Sequence, residues 1–180
     1  MAKNKRLENR QDKLNDIVDV ARQLFSERGY EATSMQQLAS QAGIAINTIY
    51  WYFDDKDDVL TAVLNQLLAD SWQQYQQANL LHLADKLLWL VDKLEQTNLL
   101  ISTVHARIHH SVSLAAWHER FHQLAESLLR YELQQHGIAN NSSLEDAVKI
   151  FVFAIEGLLV HPLSLTQKQS ICRTLCKQWQ

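Results

Sequence analysis

Paired histidines are the residues of this sequence whose spacing most readily supports chemistry. Four of its eight histidines form two pairs spaced four residues apart: His105 with His109, and His118 with His122. Residues four apart on a helix share a face, so each pair can present two imidazoles as zinc sites do. Glu119 lies nearby, but no carboxylate or cysteine stands at an unmistakable ligand spacing. We therefore favour polar or cleft-lining histidines and predict no metal site.

The two cysteines, Cys172 and Cys176, have the same spacing on a predicted helix. We interpret them as small buried apolar residues of a reducing compartment, and a redox or metal role is the alternative. The sequence contains no phosphate loop, nucleophile motif or βαβ pattern, so we predict neither catalytic residues nor an enzyme. No cofactor is expected to be required.

The composition favours helices. Glycine occurs four times and proline once in 180 residues, and 47% of the residues are hydrophobic. So few helix breakers, together with enough apolar residues for a core, favour an all-α fold over turn-rich β folds. The apolar runs are too short to span a bilayer, and the basic residues Lys3, Lys5 and Arg6 are not followed by the apolar stretch of a secretory signal. We expect a cytoplasmic protein without membrane contact.

Apolar periodicity and capping residues divide the chain into about nine helices. Their predicted ranges are 9–28, 33–42, 46–52, 55–77, 81–96, 98–110, 112–136, 142–160 and 165–178. Gly29 is placed to end the first helix in a left-handed conformation, and Gly43 to make a sharp turn. Other predicted helix ends are the caps at Thr33 with Gln36, at Asp54 and Asp55, at Ser142 with Glu145 and at Ser164 with Gln167, and a stop at Gly137.

The eighth helix is apolar all round, because residues 150–155 read Ile-Phe-Val-Phe-Ala-Ile. Such a helix has to be covered on every side, and in a small domain one side meets the chain's own core and another a second subunit. A buried strand is the competing interpretation, which the helical spacing of the flanking residues disfavours. We predict a homodimer paired through the last two helices, with interface residues Phe151, Ile155, Leu158, Leu159, Ile171 and Leu175.

Residues 33–53 have the pattern of two short helices joined at Gly43. Six apolar residues are spaced to form a miniature core: Leu38, Ala39, Ala42, Ile44, Ile49 and Phe53. The small alanines let the two helices approach closely, which leaves the other face of helix 46–52 free. Such a helix fits the major groove of DNA. A helical hairpin within an ordinary bundle is the alternative.

The stretch from Ile17 to Leu60 resembles the N-terminal domain of the TetR (TetR/AcrR) family of transcriptional regulators. The matching elements are Ile17, Ala21, Leu24-Phe25, Gly29-Tyr30, Thr33-Ser34-Met35, Leu38-Ala39, Ala42-Gly43-Ile44, Thr48-Ile49-Tyr50, Tyr52-Phe53, Lys56 and Leu60. The resemblance implies a helix-turn-helix DNA-binding head of three helices at residues 1–56. It also implies a C-terminal helical bundle at 57–180 for effector binding and dimerisation, with the long fourth helix, 55–77, shared between them.

The function implied by the resemblance is that of a DNA-binding regulator, usually a repressor. Such a regulator binds a palindromic operator in double-stranded DNA as a homodimer, and a small-molecule effector releases it. The implied DNA-contacting residues are Thr33, Gln36, Ile46, Asn47, Thr48, Tyr50, Trp51 and Lys56. Asn47 and Gln36 suit adenine edges.

The N-terminal residues supply most of the positive charge near this motif. The first 13 residues contain five basic and two acidic residues, and we hypothesise that Lys3, Lys5 and Arg6 form a flexible arm along the minor groove or backbone. Residues 1–60 as a whole contain eight basic and ten acidic residues, and residues 43–53 contain no charge. Ala45 also stands where Ser or Thr commonly caps the recognition helix, a loss of about 1 kcal/mol. These departures motivate an alternative function, a TetR-fold adaptor or protein-binding member with weak DNA affinity.

Aromatic and histidine residues of the body form the predicted effector site. The resemblance places them on helices that enclose an effector cavity, where they would suit a flat, apolar or aromatic ligand of unknown identity. Simple core packing is the alternative for each one. The predicted effector-contacting residues are Trp72, Trp89, His105, His109, Trp117 and Phe121.

Overall fold

The computed structural model describes residues 2–136 and 142–177, with the backbone alone for residues 2–9. These ranges contain nine helices and no strand: α1 (Ala2–Arg28), α2 (Met35–Gln41), α3 (Ile46–Ile49), α4 (Lys56–Gln77), α5 (Leu83–Gln96), α6 (Asn98–Arg107), α7 (Val112–Gln135), α8 (Ser142–Val160) and α9 (Leu165–Lys177). The all-α prediction is confirmed, and the predicted helix bounds are correct to within one turn except at the start of α1. None of the described helices is long and apolar enough to cross a membrane.

Most turns and caps use the predicted residues. Gly29 and Gly43 both have a left-handed backbone, with φ angles of 83° and 63°. The Asp55 carboxylate accepts a 2.9 Å hydrogen bond from an amide in the first turn of α4. Ser164 and Gln167 form the predicted capping box at the start of α9, since each side chain accepts a hydrogen bond from the backbone amide of the other.

The predicted cap of α2 is wrong by one residue. Ser34 caps the helix, because its hydroxyl accepts from the Gln37 amide at 3.2 Å and the Gln37 side chain accepts from the Ser34 amide at 2.7 Å. Thr33 is 1% exposed, and its hydroxyl donates instead to the Gly29 carbonyl at 2.9 Å. Both hydroxyl residues precede a glutamine by three positions, so the burial of Thr33 decides between them.

The predicted capping box of α8 is also wrong. Ser142 is the first residue of the helix, and the Glu145 carboxylate is bound by the Arg130 guanidinium through two hydrogen bonds of 2.8 Å. An ion pair with α7 therefore takes the place of the expected cap. Gly137, the predicted end of α7, lies outside the described residues.

The first of two compact units consists of Met1–Gln73 and Leu99–Trp117. It contains α1, α2, α3, most of α4, α6 and the start of α7. Arg22 on α1 and Asp70 on α4 form an ion pair of 2.6 Å at its surface. The unit also includes α6, and the division into functional domains at residue 56 stays a prediction. Its fully buried side chains include Ile17, Phe25, Leu38, Ile49, Leu60, Val63 and Leu114.

The second unit consists of Gln74–Asn98 and His118–Gln180. Its core is formed by α5, α7, α8 and α9 around the fully buried Phe151. Lys86 and Glu132 form an ion pair of 2.7 Å, and Lys168 pairs with Glu95. The predicted burial of the cysteines is confirmed, because Cys172 and Cys176 are each 2% exposed and free.

Half of the predicted dimer interface lies in this core. Phe151, Ile155 and Leu158 pack inside their own chain, so their assignment to a subunit contact is wrong. The cause is the composition of α8, which is apolar on every side and therefore leaves its inward face undetermined by sequence. Of the other predicted residues, Leu159 and Leu175 are partly buried against the core and Ile171 is 39% exposed.

Candidate nucleic-acid interface

The helix-turn-helix is organised around a small buried core. α2 and α3 are joined by the turn at Gly43, where the Ile44 amide donates to the Ala39 carbonyl at 3.0 Å. Ile49 of α3 is fully buried, and Phe53 in the segment that follows is 6% exposed. These two anchors turn one side of α3 inward, so its opposite side faces solvent, as the sequence predicts.

The outward side of α3 and the residues just after it carry large exposed side chains. α3 ends at Ile49, earlier than predicted, and Tyr50 and Trp51 lie in the turn beyond it, 48% and 81% exposed. The two rings are adjacent and leave a joint apolar area in water, which suits a binding surface. Of the predicted DNA-contacting residues, Gln36, Asn47, Tyr50 and Trp51 are exposed, and Ile46 and Thr48 are partly buried.

Two other predicted DNA contacts are engaged inside the domain. The Lys56 ammonium donates to the carbonyl oxygens of Tyr30 and Thr33 at 2.8 Å each, and lies 4.0 Å from the Tyr30 ring centre. Burial lowers the pKa of Lys56. The Thr33 hydroxyl is occupied by the Gly29 carbonyl. Both side chains fix the segment between α1 and α2, so neither is retained as a DNA contact.

A buried carboxylate that the sequence analysis missed lies beside this segment. Asp57, in the first turn of α4, is 5% exposed. Arg107, the last residue of α6, binds both of its oxygens, with Nε at 2.6 Å and Nη2 at 2.8 Å. The Tyr30 hydroxyl donates to the same carboxylate. Three segments far apart in sequence are thereby joined at one charged group.

The contacts of this cluster decide its protonation. Burial by itself raises the pKa of Asp57, but hydrogen bonds from Arg107 and Tyr30 outweigh burial, so the pKa of Asp57 lies below its usual value. Burial and the hydrogen bond to Asp57 raise the pKa of Tyr30. The cluster therefore keeps an ionised carboxylate and a neutral phenol at neutral pH.

The start of α1 is helical, and the flexible arm that we hypothesised is therefore wrong in its conformation. α1 begins at Ala2, so the backbone of Lys3, Lys5 and Arg6 continues the helix, while their side chains lie outside the described part of the chain.

A cation that the sequence analysis did not single out lies beside the helix-turn-helix. The Arg10 guanidinium lies 5.9 Å from the centre of the Tyr52 ring. Arg10 and Tyr52 line an open depression of about 350 Å³ together with Gln11 and Leu14. Arg10 follows Arg6 by one helical turn, so a search for basic residues along α1 would have found it in the sequence.

The six predicted effector-contacting residues are divided between the two units. In the first unit, the buried Trp117 donates through Nε1 to the Asn65 side-chain oxygen at 2.9 Å. In the second, Trp89 packs against Tyr75 with ring centres 5.3 Å apart. A role in effector binding stays a prediction for all six. The other four are His105, His109 and Trp72, which are exposed, and Phe121, which is partly buried.

Known proteins resemble the head of this chain in sequence. Residues 17–63 match the family model described as bacterial regulatory proteins, tetR family. The HTH-type transcriptional regulator HbdR of Aromatoleum sp. (strain CIB) is 39% identical over 64 residues, which are 36% of this chain and 28% of HbdR. The chain thus matches less than a third of that relative's length. The HTH-type transcriptional regulator SrpR of Pseudomonas putida is 26% identical over 173 residues, covering 86% of this chain and 76% of SrpR.

Solved structures resemble the chain over most of its length. A transcriptional regulator from Saccharomonospora viridis, solved in complex with choline, aligns with a TM-score of 0.68 at 16% identity, over 93% of this chain and 96% of that one. At that identity the likeness concerns the fold alone. Residues 17–63 thus match the tetR family of bacterial regulatory proteins in sequence, and the described helices share the fold of the Saccharomonospora viridis protein.

Proposed function

We propose that the protein is a sequence-specific DNA-binding transcriptional repressor whose DNA affinity is controlled by a small-molecule effector. The observation that carries the proposal is the outward side of α3 and of the turn after it, held by the buried Ile49 and Phe53. This surface displays Asn47, Tyr50 and Trp51 to solvent. A helix presented in this way enters the major groove, where an asparagine reads adenine and aromatic groups contact backbone or base edges. Because the proposed DNA ligand is chromosomal, we propose that the protein acts in the cytoplasm.

The proposed binding to a palindromic operator requires a second copy of the chain. α8 exposes an apolar stripe on the side away from its own core, with Ile150 45%, Phe153 68% and Val160 77% exposed. Gly157 lies on the same stripe, and a Cβ there would meet nothing within 4 Å apart from its chain neighbours and the backbone of its own helix. We propose that this stripe and Ile171 of α9 form a two-fold interface. A two-fold pair presents two copies of α3 to a palindromic operator.

The effector acts through differential affinity. A ligand that binds the DNA-free state better weakens DNA binding, and DNA weakens ligand binding by the same factor. The support is the match of residues 17–63 to the tetR family model and the choline complex of the Saccharomonospora viridis protein. No cofactor is required for this mechanism, and no catalytic step forms part of it.

The test is a mobility shift and footprint on DNA upstream of the protein's own gene and its neighbours. The wild-type protein should protect a palindromic site, and Asn47→Ala and Tyr50→Ala should each weaken binding by about 1–3 kcal/mol. The matched control is Gln134→Ala, which removes an exposed polar side chain from α7 and should leave binding unchanged. Equal binding by the Asn47 and control variants would contradict the assignment of α3.

A TetR-fold adaptor with weak DNA affinity is the second candidate function. The structure offers a specific observation in its favour, because Lys56 is bound inside the domain and residues 43–53 carry no charge. Phosphate attraction then depends on α1, from Lys3 to Arg10. Absence of any shift at low salt, with a folded dimeric protein, would favour the adaptor over the repressor.

A further inference from the structure

Two histidines of the second unit have their nitrogen atoms directed at each other. His118 and His122 lie one turn apart on α7, both partly buried, with 3.2 Å between their Nε2 atoms. Their ring centres are 4.4 Å apart and the ring planes are tilted by 54°. The other pair of the sequence differs, since α6 ends at Arg107 and His109 lies beyond it. Only the α7 pair therefore has both imidazoles within one continuous helix.

The separation of these nitrogens matches a shared metal ion. Zinc binds imidazole nitrogen at about 2.0–2.1 Å, so two ligands at the tetrahedral angle lie about 3.3–3.4 Å apart. Two ligands at a right angle, as in square-planar sites, would lie about 2.9 Å apart at the same bond length. The observed 3.2 Å is nearer to the tetrahedral value, and a shift of one or two tenths of an ångström would complete the match.

We propose that His118 and His122 form a Zn²⁺ site, each ligating through Nε2. The pair without metal shares one proton between the two Nε2 atoms, so one ring donates and the other accepts. Zinc needs both lone pairs, and the donor ring provides its own by moving its proton from Nε2 to Nδ1, with no net change in proton count. The Phe121 ring stands edge-on to His122 with centres 5.9 Å apart and adds an apolar contact beside the site. This site is independent of the proposed DNA binding.

Direct metal binding to protein without a histidine tag tests the site. Isothermal titration with ZnCl₂, and competition with a chromophoric chelator, should show one Zn²⁺ per chain. His118→Ala and His122→Ala should each lower the affinity by about tenfold or more, since even outer-shell changes cost 10–100-fold. The matched control is His109→Ala, which removes an exposed histidine outside the pair and should leave the affinity unchanged.

Two further measurements separate a lost ligand from a lost fold. Far-UV circular dichroism should show wild-type helicity and unfolding for each variant, and His118→Gln provides a replacement closer in size that can still hydrogen-bond. X-ray absorption at the zinc edge should count two imidazole ligands in the wild type. Zinc affinity that is absent in the wild type, or that survives in folded His118 and His122 variants, would overturn the proposal and leave the pair as a hydrogen bond only.

Discussion

Replacement of Arg107 by alanine should destabilise the first unit through the carboxylate that it leaves behind. The Asp57 side chain is 6% exposed and that of Arg107 30%, so the variant retains a buried charge whose bidentate partner is gone. Removal of one partner of a buried pair costs about 3–5 kcal/mol. Because water can enter from the exposed side of Arg107, we expect a loss near the lower limit, about 3 kcal/mol. A chain of this size then loses about 6–12 °C in melting temperature.

Urea unfolding followed by far-UV circular dichroism measures this loss directly. The matched control is Arg120→Ala, which removes an exposed arginine of α7 and should stay within about 0.5 kcal/mol of the wild type. A double variant, Asp57→Asn with Arg107→Ala, removes both charges and should be more stable than Arg107→Ala alone. Together with the single variant Asp57→Asn it closes a double-mutant cycle. A loss below about 1 kcal/mol for Arg107→Ala, or additive effects across the cycle, would refute the reasoning.

Four further outcomes follow from the structure. The lowered pKa of Asp57 contributes stability that is present above its unfolded pKa and is lost as pH falls through the folded one, so Asp57→Asn should flatten the acid limb of an unfolding profile; a steepness equal to wild type would contradict this. Burial raises the pKa of Cys172, and that of Cys176 to about 11, so Ellman's reagent should react slowly with the folded protein. After denaturation it should react rapidly with both thiols, and a fast reaction with the folded protein would contradict their burial. Ala45→Ser supplies the missing side-chain cap of α3 and should raise the free energy of unfolding in urea by about 1 kcal/mol. An unchanged free energy of unfolding would show that the serine does not cap the helix. Phe153→Asp should convert the proposed dimer to a monomer in light scattering, and a mass equal to that of the wild type would exclude the α8 stripe as the interface.

The helices and turns of this chain are set by local signals, and these were predictable. The left-handed Gly29 and Gly43 and the caps at Asp55 and Ser164 act within a few residues of themselves, so the sequence shows them directly. The inward side of α3 also follows from local spacing, since Ile49 and Phe53 are four residues apart.

Apart from the one-residue shift of the α2 cap and the early start of α1, the errors concern residues whose partners are distant in sequence. Asp57 and Arg107 are separated by 50 positions, and no spacing rule connects them. Lys56 was expected at the surface because its bonds to Tyr30 and Thr33 exist only after folding. On α8, Phe151 and its neighbours are apolar in every direction, so only the packing of α5, α7 and α9 decides which side is core.

For the proposed repressor, the engagement of Lys56 by backbone carbonyls has a consequence for the search for an operator. Background attachment to random DNA grows with the number of phosphates that a protein neutralises. Between residues 10 and 60, Arg10 and Arg28 are the only exposed basic residues, and Lys56 is bound by backbone carbonyls. Protein molecules that are not bound to the operator would then remain in solution instead of binding non-specifically to the chromosome, and sliding along the duplex would be brief. A small number of molecules per cell could keep one operator occupied, with each copy finding it mainly by three-dimensional diffusion.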